Sequence, residues 1–364
     1  MVLVFSANTR LWAGGVGFID KTGMVVIPPK FDEVKPFSEG LAAVEIGGKT
    51  GFIDKTGKMV IQPRFAGAGS FSQGLADAGF IVDGKSKFGF IDKTGKMVIQ
   101  PQFDIADEFS DGLALVRIGD YKEGKCGFID KTGKMVIQPQ FPQAKRFSEG
   151  LAVVRNEKFG KFGFIDKNGR MVIRPQFDKA DGFREGLSWV KIDEKWGAID
   201  KTGKMVIQPQ FDKADGFREG LSWIKIDEKW GAIDKTGKMV IQPQFAETDF
   251  FSEGLAWVEI GEKWGAIDPT GKVVIPSQFE YAGDWVEEIP WVFSEGLAKF
   301  RIPYPDAIFK QRWGYVDRTG KVVIQPQFYT GDDFHEGLAQ FWIPDPDLIR
   351  SIKTGSQKPK VKAK

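Results

Sequence analysis

The chain has 364 residues, with 51 lysines and arginines against 49 aspartates and glutamates, a formal net charge of +2, one histidine and one cysteine. Opposite charges alternate along it instead of clustering, so it lacks the basic footprint of a nucleic-acid partner. The lone Cys126 excludes an internal disulfide, and no stretch approaches the roughly 18 uninterrupted apolar residues of a membrane-spanning helix, so no membrane insertion is expected.

Residues 1–15 carry apolar side chains but no basic start, no continuous apolar core and no small-residue cleavage site, which argues against a secretory signal. They read as a capping strand and loop, because Met1 to Phe5 resembles a first copy of a Leu-Ala-x-Val strand found further on. From residue 16 to 347 one cassette recurs: Gly-Phe/Ala-Ile-Asp-Lys-Thr-Gly-Lys-x-Val-Ile-x-Pro-x-Phe, then Phe-x-x-Gly-Leu. Its opening glycine falls at Gly17, Gly51, Gly89, Gly127, Gly163, Gly197, Gly231, Gly265 and Gly314, so nine units follow one another at a basic period of 34 residues. The final residues, 348–364, are lysine-rich and aperiodic and read as a disordered tail.

Within a unit, Leu187 to Ile192 and Lys195 to Asp200 alternate as the two arms of a β-hairpin. Asp200-Lys201-Thr202-Gly203 is a tight turn in which the aspartate bonds its own backbone and the glycine supplies positive φ. Met205 to Ile207 then forms a third strand ended by Pro209, and Phe211 and Phe217 plug the connection into the core. The opening glycine and the glycine of Gly-Leu are 23 residues apart in eight of the nine units. From Gly-Leu to the next opening glycine the distances are 11, 15, 15, 13, 11, 11, 11 and 18; the first seven differ by even numbers. Lengthening both arms of a hairpin adds residues in pairs and keeps every side chain on its face, so this parity makes the two arms partners. That register sets Trp189 against Ala198 and Lys191 against Trp196, and the sheet carries apolar bulk on both faces. Burying one indole removes roughly 200 Å² from water, so the tryptophans are expected between adjacent repeats.

At Lys195-Trp196-Gly197-Ala198-Ile199-Asp200-Lys201-Thr202-Gly203, and again at Lys229-Trp230-Gly231 and Lys263-Trp264-Gly265, the chain resembles the bacterial WG (KWG) β-repeat family, over about Val16 to Ile343. It departs from that pattern in the first five units, where Val16, Thr50, Phe88, Cys126 and Phe162 replace the tryptophan; those units should pack less aromatic bulk. The resemblance implies a repeat module without intrinsic catalysis, used as an interaction platform.

Three short strands per unit permit an open superhelix or a closed propeller. Counting Met1 to Phe5 leaves one strand beyond nine full sets, so the expected fold is all-β, an open β-solenoid or spiral; the alternative is a closed β-propeller.

The single His335 cannot build a histidine triad or a His/Cys metal set. The aspartate before each Lys-Thr-Gly suits a turn better than a calcium ladder, and the glutamate of Glu-Gly-Leu suits a corner charge better than paired-acid catalysis. No catalytic residue, metal or cofactor is therefore expected, and Cys126 stands in an apolar slot that suits a reducing cytoplasm. An insertion at Tyr281 to Val292 carries Trp285, Glu287, Glu288 and Trp291, and a second follows at Tyr304 to Gln311; both are candidate docking loops. The expected function is a non-catalytic, cytoplasmic scaffold that binds another protein through an extended β surface. The alternative is a glycan or cell-envelope component stacked on the pairs Trp189/Trp196, Trp223/Trp230 and Trp257/Trp264.

Overall fold

The computed structural model describes residues 14–120, 122–157, 160–280, 292–303 and 311–345. Their strands form nine antiparallel sheets of three or four strands. Blade 6 shows the plan: a two-residue inner strand Lys179–Ala180, a second strand Leu187–Ile192, a third Lys195–Asp200 and an outer strand Met205–Phe211. The expected register holds, with Trp189 opposite Ala198 and Lys191 opposite Trp196.

Sequence units and blades are out of phase. Each unit supplies the third and outer strands of one blade and the inner and second strands of the next. The second strand Leu338–Ile343 therefore has no successor to join, and it pairs with the first unit's Gly15–Asp20 over six consecutive residues, from Gly15 opposite Ile343 to Asp20 opposite Leu338. This is the closure of a nine-bladed β-propeller, and it corrects the expected open solenoid. An open array would leave two sheet edges unpaired, whereas here the two halves of one blade, 15–31 and 338–343, supply each other's missing strand. The assumed surplus strand, Met1 to Phe5, is not required by the count and lies outside the described residues.

The opening glycine of the unit is explained at the third strand. A bulge lies between the pairs Trp196 with Phe211 and Ala198 with Ile207, and it pushes the outer strand's backbone inward at Pro209. A Cβ on Gly197 would lie 2.6 Å from the Ile207 carbonyl oxygen and 2.7 Å from the Pro209 nitrogen, so the backbones meet only with glycine there. The turn glycine is fixed twice over. Gly203 has φ of 86°, and a Cβ on it would sit 3.2 Å from Ile173 of the preceding blade.

Blades are joined through their aromatic rings. Each junction carries one pair between a ring of one blade and the corner phenylalanine of the next. Phe18 meets Phe37, Phe52 meets Phe71, Phe90 meets Phe109, Phe128 meets Phe147 and Phe164 meets Phe183, at centroid distances of 4.8–5.1 Å. Trp189, Trp223 and Trp257 stack on Phe217, Phe251 and Phe293 at 5.2–5.7 Å, and Tyr315 meets Phe334 at 5.0 Å. In blades 6 to 8 the ring is an indole on the second strand facing an alanine on the third; in blades 1 to 5 it is a phenylalanine on the third strand. At the junction the Phe of Gly-Phe-Ile-Asp supplies the ring in the first five blades, so the smaller aromatic bulk of those units is confined to the Trp-Gly slot, where Val16, Thr50 and Cys126 carry no ring.

Replacing Trp223, which is 2% exposed, by alanine opposite Ala232 empties a whole ring from a junction. The expected loss is about 3–5 kcal/mol of unfolding free energy in chemical denaturation; a loss below about 1 kcal/mol would show that the ring is not part of the core.

Candidate interaction surface

The glutamate corner of each unit is a second closed ring. All nine corner residues adopt left-handed backbone, with φ between 52° and 54°, at Glu39, Gln73, Asp111, Glu149, Glu185, Glu219, Glu253, Glu295 and Glu336. Each side chain accepts a hydrogen bond from the Gly-Leu glycine N–H of the next blade, at 2.6–3.1 Å. The series runs from Glu39 to Gly74 around to Glu295 with Gly337 and Glu336 with Gly40. Lysines of the neighbouring Asp-Lys-Thr-Gly turns approach the same carboxylates: Lys93 with Glu39, Lys201 with Glu149, Lys235 with Glu185, Lys21 with Glu295 and Lys55 with Glu336, at 3.0–3.1 Å. Partial burial by itself would raise these carboxyls, but the lysine and the backbone N–H groups outweigh it. Glu39, Glu149, Glu185 and Glu295 are held below the usual glutamate range. Corner segments of successive blades are thus in direct contact, which marks this edge as the one where the blades converge on the ring axis.

The turn aspartates are equally committed. Oδ1 of Asp200 accepts from the N–H and hydroxyl of Thr202 and from the N–H of Lys204, at 2.6–3.0 Å. The Thr202 hydroxyl contributes most to holding its carboxyl below the usual range, against slight burial. The same bonds recur at Asp20, Asp54, Asp92, Asp130, Asp234, Asp268 and Asp317, while Asp166, followed by Asn168, keeps the backbone bonds alone. Among the described residues no group of three His, Cys, Asp or Glu side chains is placed to hold a metal ion. Cys126 is 4% exposed, and burial pushes its thiol up.

The sequence-derived site residues separate into three groups. Trp189, Trp223 and Trp257 are fully buried under the corner phenylalanines, so their indole faces are covered and cannot stack on a sugar without opening a junction. This corrects the paired-tryptophan platform. Trp196, Trp230 and Trp264 are half-buried beside those cores, with Trp230 opposite Phe245 and Lys225 over its ring at 5.5 Å. Trp285, Glu287, Glu288, Trp291 and Tyr304 lie outside the described residues.

Among the described residues, what differs from blade to blade gathers in two places. The hairpins between second and third strands, at the end of the ring away from the corners, vary in length and charge. Beside one of them, between blades 7 and 8, lies a cleft of about 360 Å³ lined by Lys229, Phe245, Glu259, Ile260 and Glu262. The inner edge is the other place. Lys145 reaches Asp181 at 2.7 Å, Arg146 pairs with Glu108, and the buried Lys299 lies 3.2 Å from Asp333 and 3.6 Å from Asp332. Between blades 2 and 3 a cleft of about 410 Å³ opens, lined by Lys35, Ala43, Glu45, Thr50, Asp77 and Phe88. Asp77 occupies the second-strand position of Trp189, and burial pushes its carboxyl up to about 6 despite Lys35 nearby, with Asp107 adding to the rise. The signal in the sequence was a lone carboxylate at a position that is apolar or aromatic in most other units.

A folded-state value above that of the unfolded chain means that ionised Asp77 opposes folding, and that protonation relieves the cost as pH falls from about 6 toward 4. Asp77→Asn should therefore raise the melting temperature at pH 7–8 and shrink the difference from wild type as pH approaches 4. A variant of unchanged melting temperature at pH 7.5 would refute the buried charge.

The WG containing repeat family profile matches nine stretches: 17–49, 51–78, 88–121, 127–158, 162–196, 196–230, 230–264, 264–302 and 313–341. No curated protein shows a significant match. Among solved structures the chain is similar to a crystal structure of a eukaryotic initiation factor, at 14% identity with a TM-score of 0.56, covering 92% of this chain and 100% of that one. A Kluyveromyces lactis Hsv2p structure is matched at 9% identity and a TM-score of 0.39, over 64% of this chain and 91% of the other. At such identities the likeness concerns the fold alone. With matched stretches running from residue 17 to 341, in register with the nine opening glycines, the chain belongs to the WG-repeat family.

Proposed function

We propose that this propeller is a non-catalytic scaffold that binds another protein. The observation supporting the reading is how the recurring polar groups are used. The turn aspartates bond their own turns, the corner acids bond the next blade, and the motif glycines admit close backbone contact. An active site needs a singular arrangement of groups free to meet a substrate, whereas these groups repeat and are already engaged. Individuality is left to the hairpin tips, the inner edge and the inserted loops, the positions from which a repeat array presents side chains to a partner. In sequence, residues 281–291 fall between the outer strand of blade 8, Val273–Glu280, and the strand Leu297–Pro303 of blade 9, so the extra length interrupts neither strand. It serves as the docking loop.

The test is affinity capture from the source cell with the intact ring and with a ring lacking residues 281–291, both checked for cooperative unfolding. A specific partner held by the first and lost from the second is the expected result. Identical recovery by both rings would remove the loop from the proposal, and absence of any partner together with turnover of a small substrate would overturn the scaffold reading.

A further inference from the structure

The residue before each corner position is serine in six blades, and its hydroxyl donates to the corner phenylalanine carbonyl of the next blade; Ser148, for example, bonds the Phe183 carbonyl at 2.5 Å. Three blades depart from this: blade 1, where His335 takes the position, and blades 6 and 7. The latter two carry Arg184 and Arg218, so no serine hydroxyl reaches the Phe217 and Phe251 carbonyls at those two junctions. The substitution puts two guanidinium groups at adjacent positions of the inner edge; burial first, and then the neighbouring Arg184 charge, push the Arg218 guanidinium below its usual range, against the pull of Asp215 and Asp249. Neither forms a hydrogen bond or an ion pair with the described residues, and Nε of Arg218 is buried without an acceptor.

Their surroundings hold them in place. The Arg218 guanidinium lies 3.9 Å from the centre of the Phe250 ring, a cation–π contact that fixes its position. Arg184 lies over Gly216, where a Cβ would be 3.6 Å from its Nη1. The nearby carboxylates are turned to other tasks. Asp181 is bound by Lys145, and Asp249 accepts the Phe250 N–H at 2.7 Å. Burial raises the Asp215 carboxyl above its usual range, against the pull of Arg218 and Arg184. Two junctions thus forgo the serine hydrogen bond and bring two like charges together, and the carboxylates that attract them, Asp215 and Asp249, make no ion-pair contact with either guanidinium. Such local costs are characteristic of functional positions.

We propose that Arg184 and Arg218 form an oxyanion-binding subsite at the inner edge of blades 6 and 7, which takes a carboxylate or phosphate carried by an acidic segment of the docked protein. The inference rests on the scaffold reading and names the chemistry of its partner. A planar fork of N–H donors matches both groups, and the pair of forks would bridge one anion or two successive acidic side chains.

Serine at these two positions is already compatible with the ring in six other blades, so R184S/R218S is the informative variant. Fluorescence anisotropy at low ionic strength would follow a labelled hexaglutamate peptide, a neutral peptide with one phosphoserine, and hexaglutamine as control. The wild-type chain should bind at least one anionic peptide, in a salt-sensitive way, and not the control; which one binds separates carboxylate from phosphate. R184S/R218S should bind at least tenfold more weakly while melting no lower than wild type, because each serine regains the junction bond. Should that variant fail to fold, R184K/R218K, which keeps the charge and loses the forks, must show the weakening. Undiminished binding by a folded variant, or no binding of either anionic peptide by wild type, overturns the subsite. Neither result bears on partner capture through residues 281–291, so the two proposals fail separately.

Discussion

One aromatic contact per junction, repeated around a circle, underlies the whole molecule. A corner phenylalanine from each blade lies against a ring of the preceding one, and the ninth contact, Tyr315 with Phe334, joins the last blade to the first. Such pairs contribute about 0.5–1.5 kcal/mol each beyond the area they bury. The ring can be carried by either of two neighbouring strands, as a phenylalanine on the third or an indole on the second. What the fold requires is bulk in one volume, not a particular residue, so the tryptophans of blades 6 to 8 answer a packing need that the phenylalanines of blades 1 to 5 answer equally.

The polar motifs follow from the same convergence. Where blades approach the axis, the left-handed corner acid meets the N–H of the next glycine, and neighbouring lysines share its charge. A left-handed conformation costs a non-glycine residue about 1–2 kcal/mol, offset here by a hydrogen bond of comparable size made at every junction. The chain thus commits its recurring acids to geometry. That commitment is the physical basis for reading the protein as a surface, and it directs attention to residues that break the pattern: Asp77 among apolar and aromatic neighbours, and Arg184 and Arg218 where serines would close a bond.

Much of a single unit was legible from residue order. The even increments between Gly-Leu and the opening glycine identified the hairpin, and the register of Trp189 with Ala198 and Lys191 with Trp196 follows from it. The Asp-Lys-Thr-Gly turn was equally plain, because its bonds are local. Closure was not legible, since it depends on a pairing between Gly15–Asp20 and Leu338–Ile343 over more than 300 residues, and strand counting assigned weight to Met1 to Phe5 that the ring does not need. The corner acids were recognised as charges at a bend, but their acceptor role lies across a junction, beyond what spacing within one unit reveals. The paired tryptophans were correctly placed on one face, and the expected burial between adjacent repeats holds for Trp189, Trp223 and Trp257; the ring stacked on each, a corner phenylalanine of the next blade, was not legible. The two arginines were visible only as departures from serine, and their meaning required the junction bond that serine makes elsewhere.

Ring closure is tested most directly by spin labels at Met24 and Lys321, exposed residues at equivalent turn positions of blades 1 and 9. Labels at Met24 and Lys58, the corresponding residues of blades 1 and 2, supply an internal reference. If the nine blades form a closed circle, the electron–electron distance for Met24 and Lys321 matches the reference pair. A distance several times longer, set by the length of a nine-unit array, would contradict the closed propeller and the junctions on which it is built.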